Sequence, residues 1–171
     1  IILQETPWAL EANNERKHRQ QLATLFHDVT QEHCRMTMLN ALKNLQYPNG
    51  SFAWYPGMTG SIFITQNVAC HLARLYAQTA YEMPIQREMR QQAFKFLLQE
   101  MAKDIRATDK EDEQRLLNRH LNTLYAIGLT DYRQMLTSQE KADIQSMISM
   151  LRKYASKTDR EERALAAIVL H

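Results

Sequence analysis

Glycine and proline are scarce, with four of each in 171 residues, and cysteine occurs twice. So few chain breakers favour long helices. No run approaches the roughly 18 to 20 uninterrupted apolar residues that cross a bilayer, and no basic-then-apolar leader opens the chain. Charge of one sign is also missing: 21 Lys and Arg stand against 19 Asp and Glu, net +2, with both signs interleaved. Without clustered Lys and Arg, nucleic acid is not an expected partner. Strict alternation rich in Val, Ile and Thr is absent, which argues against a sheet. No fixed-period repeat appears, which disfavours regular tetratricopeptide or ankyrin arrays.

What is present is helical periodicity. The length suits one domain or part of one. A first helix is expected over residues 12–27, with Leu22, Leu25, Phe26 and Val29 on one face and Glu15, Arg16, Lys17 and Arg19 on the other. Thr30 is placed to cap a second helix with Met38, Leu39, Leu42 and Leu45 on its buried stripe, ending at Tyr47-Pro48-Asn49-Gly50. A long loop over residues 47–63 follows and holds three of the four glycines, two of the four prolines, and Phe52, Trp54 and Tyr55.

The third helix is expected from Thr65 to Tyr81, with Val68, Leu72, Leu75 and Tyr76 inward and Met83-Pro84 as its stop. A fourth uses Phe94, Leu97, Leu98, Met101 and Ile105 and gives way to the charged run Asp109 to Glu113. A fifth carries Leu117, Leu121, Leu124 and Tyr125 and stops at Gly128, a residue that tolerates positive φ. Thr137 and Glu140 fit a capping box at the start of a sixth, with Ile144, Met147, Ile148, Leu151 and Tyr154 as its stripe. A seventh starts at Thr158-Asp159, where Glu161 and Glu162 suit the helix dipole. The expected fold is all-α: stacked antiparallel helical hairpins, with a toroid of diverged hairpins left open.

The chain opens Ile1-Ile2-Leu3 without Met and closes on an apolar run, Ala166 to His171, with no Gly, Asn or Pro stop. Both ends are therefore expected to be cut from a longer chain, making residues 1–171 a single domain fragment. The cellular compartment is not legible from such ends.

Candidate chemistry is thin. Six histidines, His18, His27, His33, His71, His120 and His171, are scattered, with no His-Glu-x-x-His pair, and no metal site is expected. His33 beside Cys34 and Cys70 beside His71 point about 100° apart on a helix, which suits no shared ion. Cys34 and Cys70 permit one disulfide, but spacing does not require it, and free thiols packed as small apolar residues are the preferred reading. The Asp109 to Glu113 run lacks the glycine and oxygen spacing of a calcium loop and reads as a solvated turn. Phe52, Trp54 and Tyr55 are the candidate site residues: they could line a carbohydrate or peptide groove, although folding back of Phe52 and Trp54 as a plug is preferred. No catalytic set and no cofactor site are expected.

Several segments together resemble a known family. Leu3-Gln4-Glu5-Thr6-Pro7-Trp8-Ala9-Leu10-Glu11-Ala12, then Leu45-Gln46-Tyr47-Pro48-Asn49-Gly50-Ser51-Phe52-Ala53-Trp54-Tyr55-Pro56-Gly57, Ile64-Thr65-Gln66-Asn67-Val68 and the closing Ala164 to His171 are similar to the large alpha-2-macroglobulin-like proteins of Bacteroidetes-type bacteria. Residues 85–160 follow the resemblance by helix pattern more than by motif. The resemblance implies part of the thioester-domain region, an α/α toroid shaped like the terpenoid cyclases, in a multidomain protease trap of the periplasm or cell surface, with an outer-membrane lipoprotein as one form. It implies no enzyme activity in this segment. Its partners would be other domains of the parent chain and the trapped proteases. The family's Cys-Glu-Gln-type thioester motif has no counterpart here, since Cys34 is followed by Arg35-Met36-Thr37 and Cys70 by His71-Leu72-Ala73. Two rival readings are a glycan- or isoprenoid-acting toroid enzyme and a helical protein-interaction module. Apolar helix faces left uncovered are expected to promote self-association.

Overall fold

The computed structural model describes residues 14–19, 28–79, 81–107, 112–154 and 160–170. Among the described residues the chain is all-helical, with isolated antiparallel bridges at Gln46–Phe52 and Phe52–Ser61 but no strand. The helices are α1 (14–19), α2 (Asp28–Lys43), α3 (Ile62–Thr79), α4 (Pro84–Ala107), α5 (Glu113–Gly128), α6 (Ser138–Tyr154) and α7 (Arg160–Leu170), with a 3-10 segment, η1, at Asp131–Met135. None of the described helices is long and apolar enough to cross a membrane. Two compact units divide the chain, Ile1–Leu42 and Lys43–His171.

In the first unit, Glu15, Arg16, Lys17 and Arg19 are exposed on α1, as their polarity requires, and Arg19 pairs with Glu15 at 3.6 Å one turn away. Leu22, Leu25 and Phe26 lie outside the described residues. Val29 belongs to α2 rather than to the first helix, and Thr30 lies within α2 rather than capping it. Met38, assigned to the buried stripe, is 72% exposed, while Leu39 is buried. Leu45 falls beyond the end of α2.

The second unit contains most of the core. Thr137 and Glu140 form the expected capping box: the Thr137 N–H donates to Glu140 Oε2 at 2.7 Å, and the Glu140 N–H donates to Thr137 Oγ1 at 3.3 Å. Pro84, read as a stop for the third helix, is also the first residue of α4, where its missing N–H costs nothing. Gln86 completes that start by accepting the Met83 N–H at 2.9 Å. Asp112 precedes α5 without a side-chain cap bond, and Glu113 sits in its first turn. Asp109, Lys110 and Glu111 lie outside the described residues, as do Thr158 and Asp159.

Phe94, Leu97, Leu98 and Met101 on α4 and Leu117, Leu121 and Leu124 on α5 are buried as their spacing predicts. Each such aliphatic side chain contributes about 1.5–3 kcal/mol. Met147 and Leu151 on α6 are fully buried, whereas Ile144, Ile148 and Tyr154 are half-buried. The third helix departs most from expectation. It starts three residues early, at Ile62, and its buried residues are Thr65, Gln66, Ala69, Cys70, Leu72 and Ala73. Leu75 is 46% exposed instead. Small side chains at 69, 70 and 73 let α3 approach its neighbours closely, which a stripe of leucines would prevent.

Helices pack both with their neighbours in sequence and with the next but one. Contacts join α3 to α5 and α5 to α7, and separately α4 to α6, with α5 touching all four partners α3, α4, α6 and α7. Alternate helices therefore form two rows, α3–α5–α7 and α4–α6. Gly128 closes α5, yet its φ is not positive: the left-handed glycines are Gly50 and Gly57. Gly128 matters for space, since a Cβ there would lie 3.0 Å from the Arg133 guanidinium.

Candidate functional site

The connection between α2 and α3 carries the aromatic candidates, and its local chemistry separates them. Tyr47-Pro48-Asn49-Gly50 closes a turn through the Gly50 N–H, which donates to the Tyr47 carbonyl at 2.8 Å. Gly50 has φ +90°, and a Cβ on it would sit 2.1 Å from the Gln92 carbonyl oxygen of α4. Only glycine meets both demands. Asn49 Oδ1 accepts from the Ser51 N–H at 3.1 Å and from its hydroxyl at 2.7 Å. The Phe52 N–H donates to Thr65 Oγ1 at 2.8 Å, and that hydroxyl donates onward to the Ser61 carbonyl at 2.7 Å. Gln46 Nε2 donates to the Met89 carbonyl of α4 at 2.9 Å.

These bonds hold residues 51–53 inside, so Phe52 is fully buried. Two residues later the chain leaves the core. Trp54 is 57% and Tyr55 61% exposed, and their rings meet edge to face with centroids 6.2 Å apart. Of the three aromatics, Phe52 is a core residue, and Trp54 and Tyr55 come together at the surface. The preferred folding back thus holds for Phe52 and not for Trp54. An open depression of about 500 Å³ nearby is lined by Tyr47, Pro48, Asn49, Ser51 and Gly57 to Gly60, without Trp54 or Tyr55. The Tyr47 hydroxyl donates to the Met58 carbonyl and holds its rim. The exposed pair can stack on a flat apolar face and offers one hydroxyl and one indole N–H.

Both cysteines are free thiols, Cys34 exposed and Cys70 buried. Cys70 donates to the Asn122 carbonyl at 3.3 Å, and burial, only partly offset by Arg74, pushes its pKa up to about 11. At neutral pH it is a protonated packing residue, not a thiolate nucleophile. His71 meets the Asn67 carbonyl one turn back, at 2.8 Å. Among the described residues no three His, Cys, Asp or Glu side chains group to hold a metal.

Two charged centres escaped sequence reasoning. Arg90 on α4 is 1% exposed and grips Glu82 in bidentate fashion, Nε to Oε1 at 2.7 Å and Nη2 to Oε2 at 2.8 Å. Its guanidinium also faces the Tyr76 ring at 4.9 Å, while Nη1 has no hydrogen-bond partner. On α5, His120 is fully buried, and its Nε2 lies 2.7 Å from Asp104 Oδ2, which Arg119 also approaches at 3.1 Å. Nδ1 of His120 is buried without a partner. Burial lowers the imidazole pKa, outweighing the pull of Asp104 in the other direction. A neutral ring with its proton on Nε2 fits, because charging it would leave a buried N–H at Nδ1 with no acceptor. One signal was available for both: Arg90 lies four residues before Phe94 and His120 three after Leu117, so each interrupts an apolar stripe.

Beside Asp104, a recess of about 160 Å³ is lined by Asp112, Arg115, Leu116 and Arg119. Its two carboxylates and two guanidiniums balance in charge, which suits a structural network better than capture of an ion. No protein-family model matches the chain, and comparison with curated proteins and solved structures found no match.

Proposed function

We propose that the chain is a non-enzymatic scaffold, a stack of helical hairpins from the thioester-type α/α toroid of a bacterial alpha-2-macroglobulin-like protease inhibitor. Its place of action is the periplasm or cell surface, and its partners are other domains of the parent chain and, through them, trapped proteases. The observation that carries the scaffold reading is the pair of rows, α3–α5–α7 and α4–α6. A toroid repeats such rows around a ring, one helix of each hairpin inside and one outside. Any hairpin stack shares them, so the family itself rests on the resemblance of residues 3–12, 45–57, 64–68 and 164–171.

The scaffold supplies rigidity. A reactive acyl thioester elsewhere in the parent would need an apolar framework to exclude water until triggered. The protonated, buried Cys70 belongs to that framework. Expressing the full-length parent and challenging it with a protease tests the reading. Trapping shields large protein substrates while leaving small peptides open to cleavage; equal inhibition of both would refute it.

The exposed Trp54–Tyr55 pair supports a second reading, a toroid that contacts glycans. Quenching of Trp54 emission by a specific sugar, lost in Trp54→Phe, would favour it.

A further inference from the structure

A groove of about 400 Å³ runs between α5, α6 and α7. Its floor is aliphatic, with Ile127, Leu136, Ile144 and Ile148 among the lining residues, and its cations are Arg133, Lys141 and Arg152. Among the described residues no carboxylate lines it. The acids of α6 are turned to other partners: Glu140 accepts from Thr137, and Asp143 from Gln139. Among the described residues, Arg133, Lys141 and Arg152 enter no ion pair.

Shape limits what fits. Lys141, Ile144, Gln145, Ile148 and Arg152 follow i, i+3, i+4, i+7, i+11, one continuous stripe along α6, which spans about 16 Å at 1.5 Å per residue. Cations therefore mark both ends of an apolar trough three turns long. A fatty acid has one charged end and would leave the other cation unanswered. A flat anionic membrane would meet the rim without filling the floor. A helix with an aliphatic ridge and acids at both ends answers floor and rim together.

We propose that this groove docks an amphipathic helix of a partner protein, with leucine-like side chains against Ile144 and Ile148 and carboxylates against Arg133, Lys141 and Arg152. Gly128 contributes by leaving room for the Arg133 guanidinium, which a Cβ would approach to 3.0 Å. This docking does not depend on protease trapping, and the two are read by different assays, so either can fail alone.

The probe is a fluorescently labelled synthetic helix with leucines spaced i, i+4, i+7, i+11 and glutamates at both ends, titrated with the chain and read by anisotropy. The same helix with lysines for glutamates should bind at least roughly tenfold more weakly, a difference that shrinks with salt. The double variant Arg133→Glu, Arg152→Glu should invert that preference; both side chains are exposed, so folding is not at stake. Ile148→Glu should abolish binding of either peptide, with circular dichroism confirming retained helix content. Equal affinity for the two peptides, no binding of either, or a preference unchanged by charge reversal would overturn the proposal. So would binding to phosphatidylglycerol vesicles without a peptide preference, or a dimer of this chain that Ile148→Glu dissociates, since the groove would then serve a membrane or a second copy.

Discussion

The α2–α3 connection and the α4–α5 interface both take polar groups out of water, and they do so in opposite ways. In the connection the groups are neutral and linked in sequence: Phe52 N–H to Thr65 hydroxyl to Ser61 carbonyl, with Asn49 closing on Ser51. At the interface the groups are ionisable: Asp104 is shared by His120 and Arg119, and His120 Nδ1 has no partner. The first arrangement is indifferent to pH over the physiological range. The second titrates, because the buried imidazole can remain neutral only while protons are scarce. A neutral linked network holds one geometry, whereas an ionisable buried pair makes stability conditional.

The largest effect expected from breaking the connection is at its apolar anchor. Phe52→Ala should cost about 3–5 kcal/mol, as large-to-small changes at fully buried aromatics do, and a urea unfolding midpoint measures it. Gly50→Ala comes next, at about 1–3 kcal/mol from the left-handed backbone alone, with the approach to Gln92 added. Gly57→Ala is the control: its φ is +85° but a Cβ there meets nothing, so it should cost visibly less than Gly50→Ala.

The interface should declare itself through pH. The folded pKa of His120 lies below the unfolded value of about 6.5. Between the two, the unfolded chain binds more protons, so stability is fully present above about pH 6.5 and is lost as the pH falls toward the folded value. Urea midpoints for the native chain and His120→Gln, compared at pH 7.5 and pH 5.5, should show a larger acid loss in the native chain; equal losses would place the titration elsewhere. Phe52→Ala should leave that difference intact, because the connection holds no titrating group in the window. The smallest change is Trp54→Ala, within roughly 0.5 kcal/mol for an exposed side chain, so any loss of function on that substitution would report on binding rather than folding.

Sequence patterning located these regions unevenly. The Tyr47 to Gly50 turn and the Thr137–Glu140 capping box were legible because each depends on residues a few positions apart, with chemistry that works locally. The stripes of α4 and α5 were legible because long apolar side chains dominate them. The stripe of α3 differs from its periodicity at Leu75, because the face that meets α4 and α5 carries the buried Ala69 and Ala73 and leaves Leu75 exposed, an outcome set by other helices. Phe52 and Trp54 have similar hydrophobicity and lie two residues apart; their separation follows from Thr65 accepting the Phe52 N–H, thirteen residues away. The Arg90–Glu82 and His120–Asp104 pairs were hidden for the same reason, although a charged or polar residue within an apolar stripe was their visible mark.

By itself, then, the sequence determined an all-helical chain, the approximate extent of most of its helices, two of its turns and caps, and a balanced surface. These depend on propensity and on contacts within one or two turns. Only the tertiary structure decided which aromatic is buried, which cysteine is silenced, where the charged pairs form, and that aliphatic residues of α5, η1 and α6 converge beneath Arg133, Lys141 and Arg152. Those depend on packing between helices, where the outcome at one residue is set by side chains tens of positions away that local periodicity does not record.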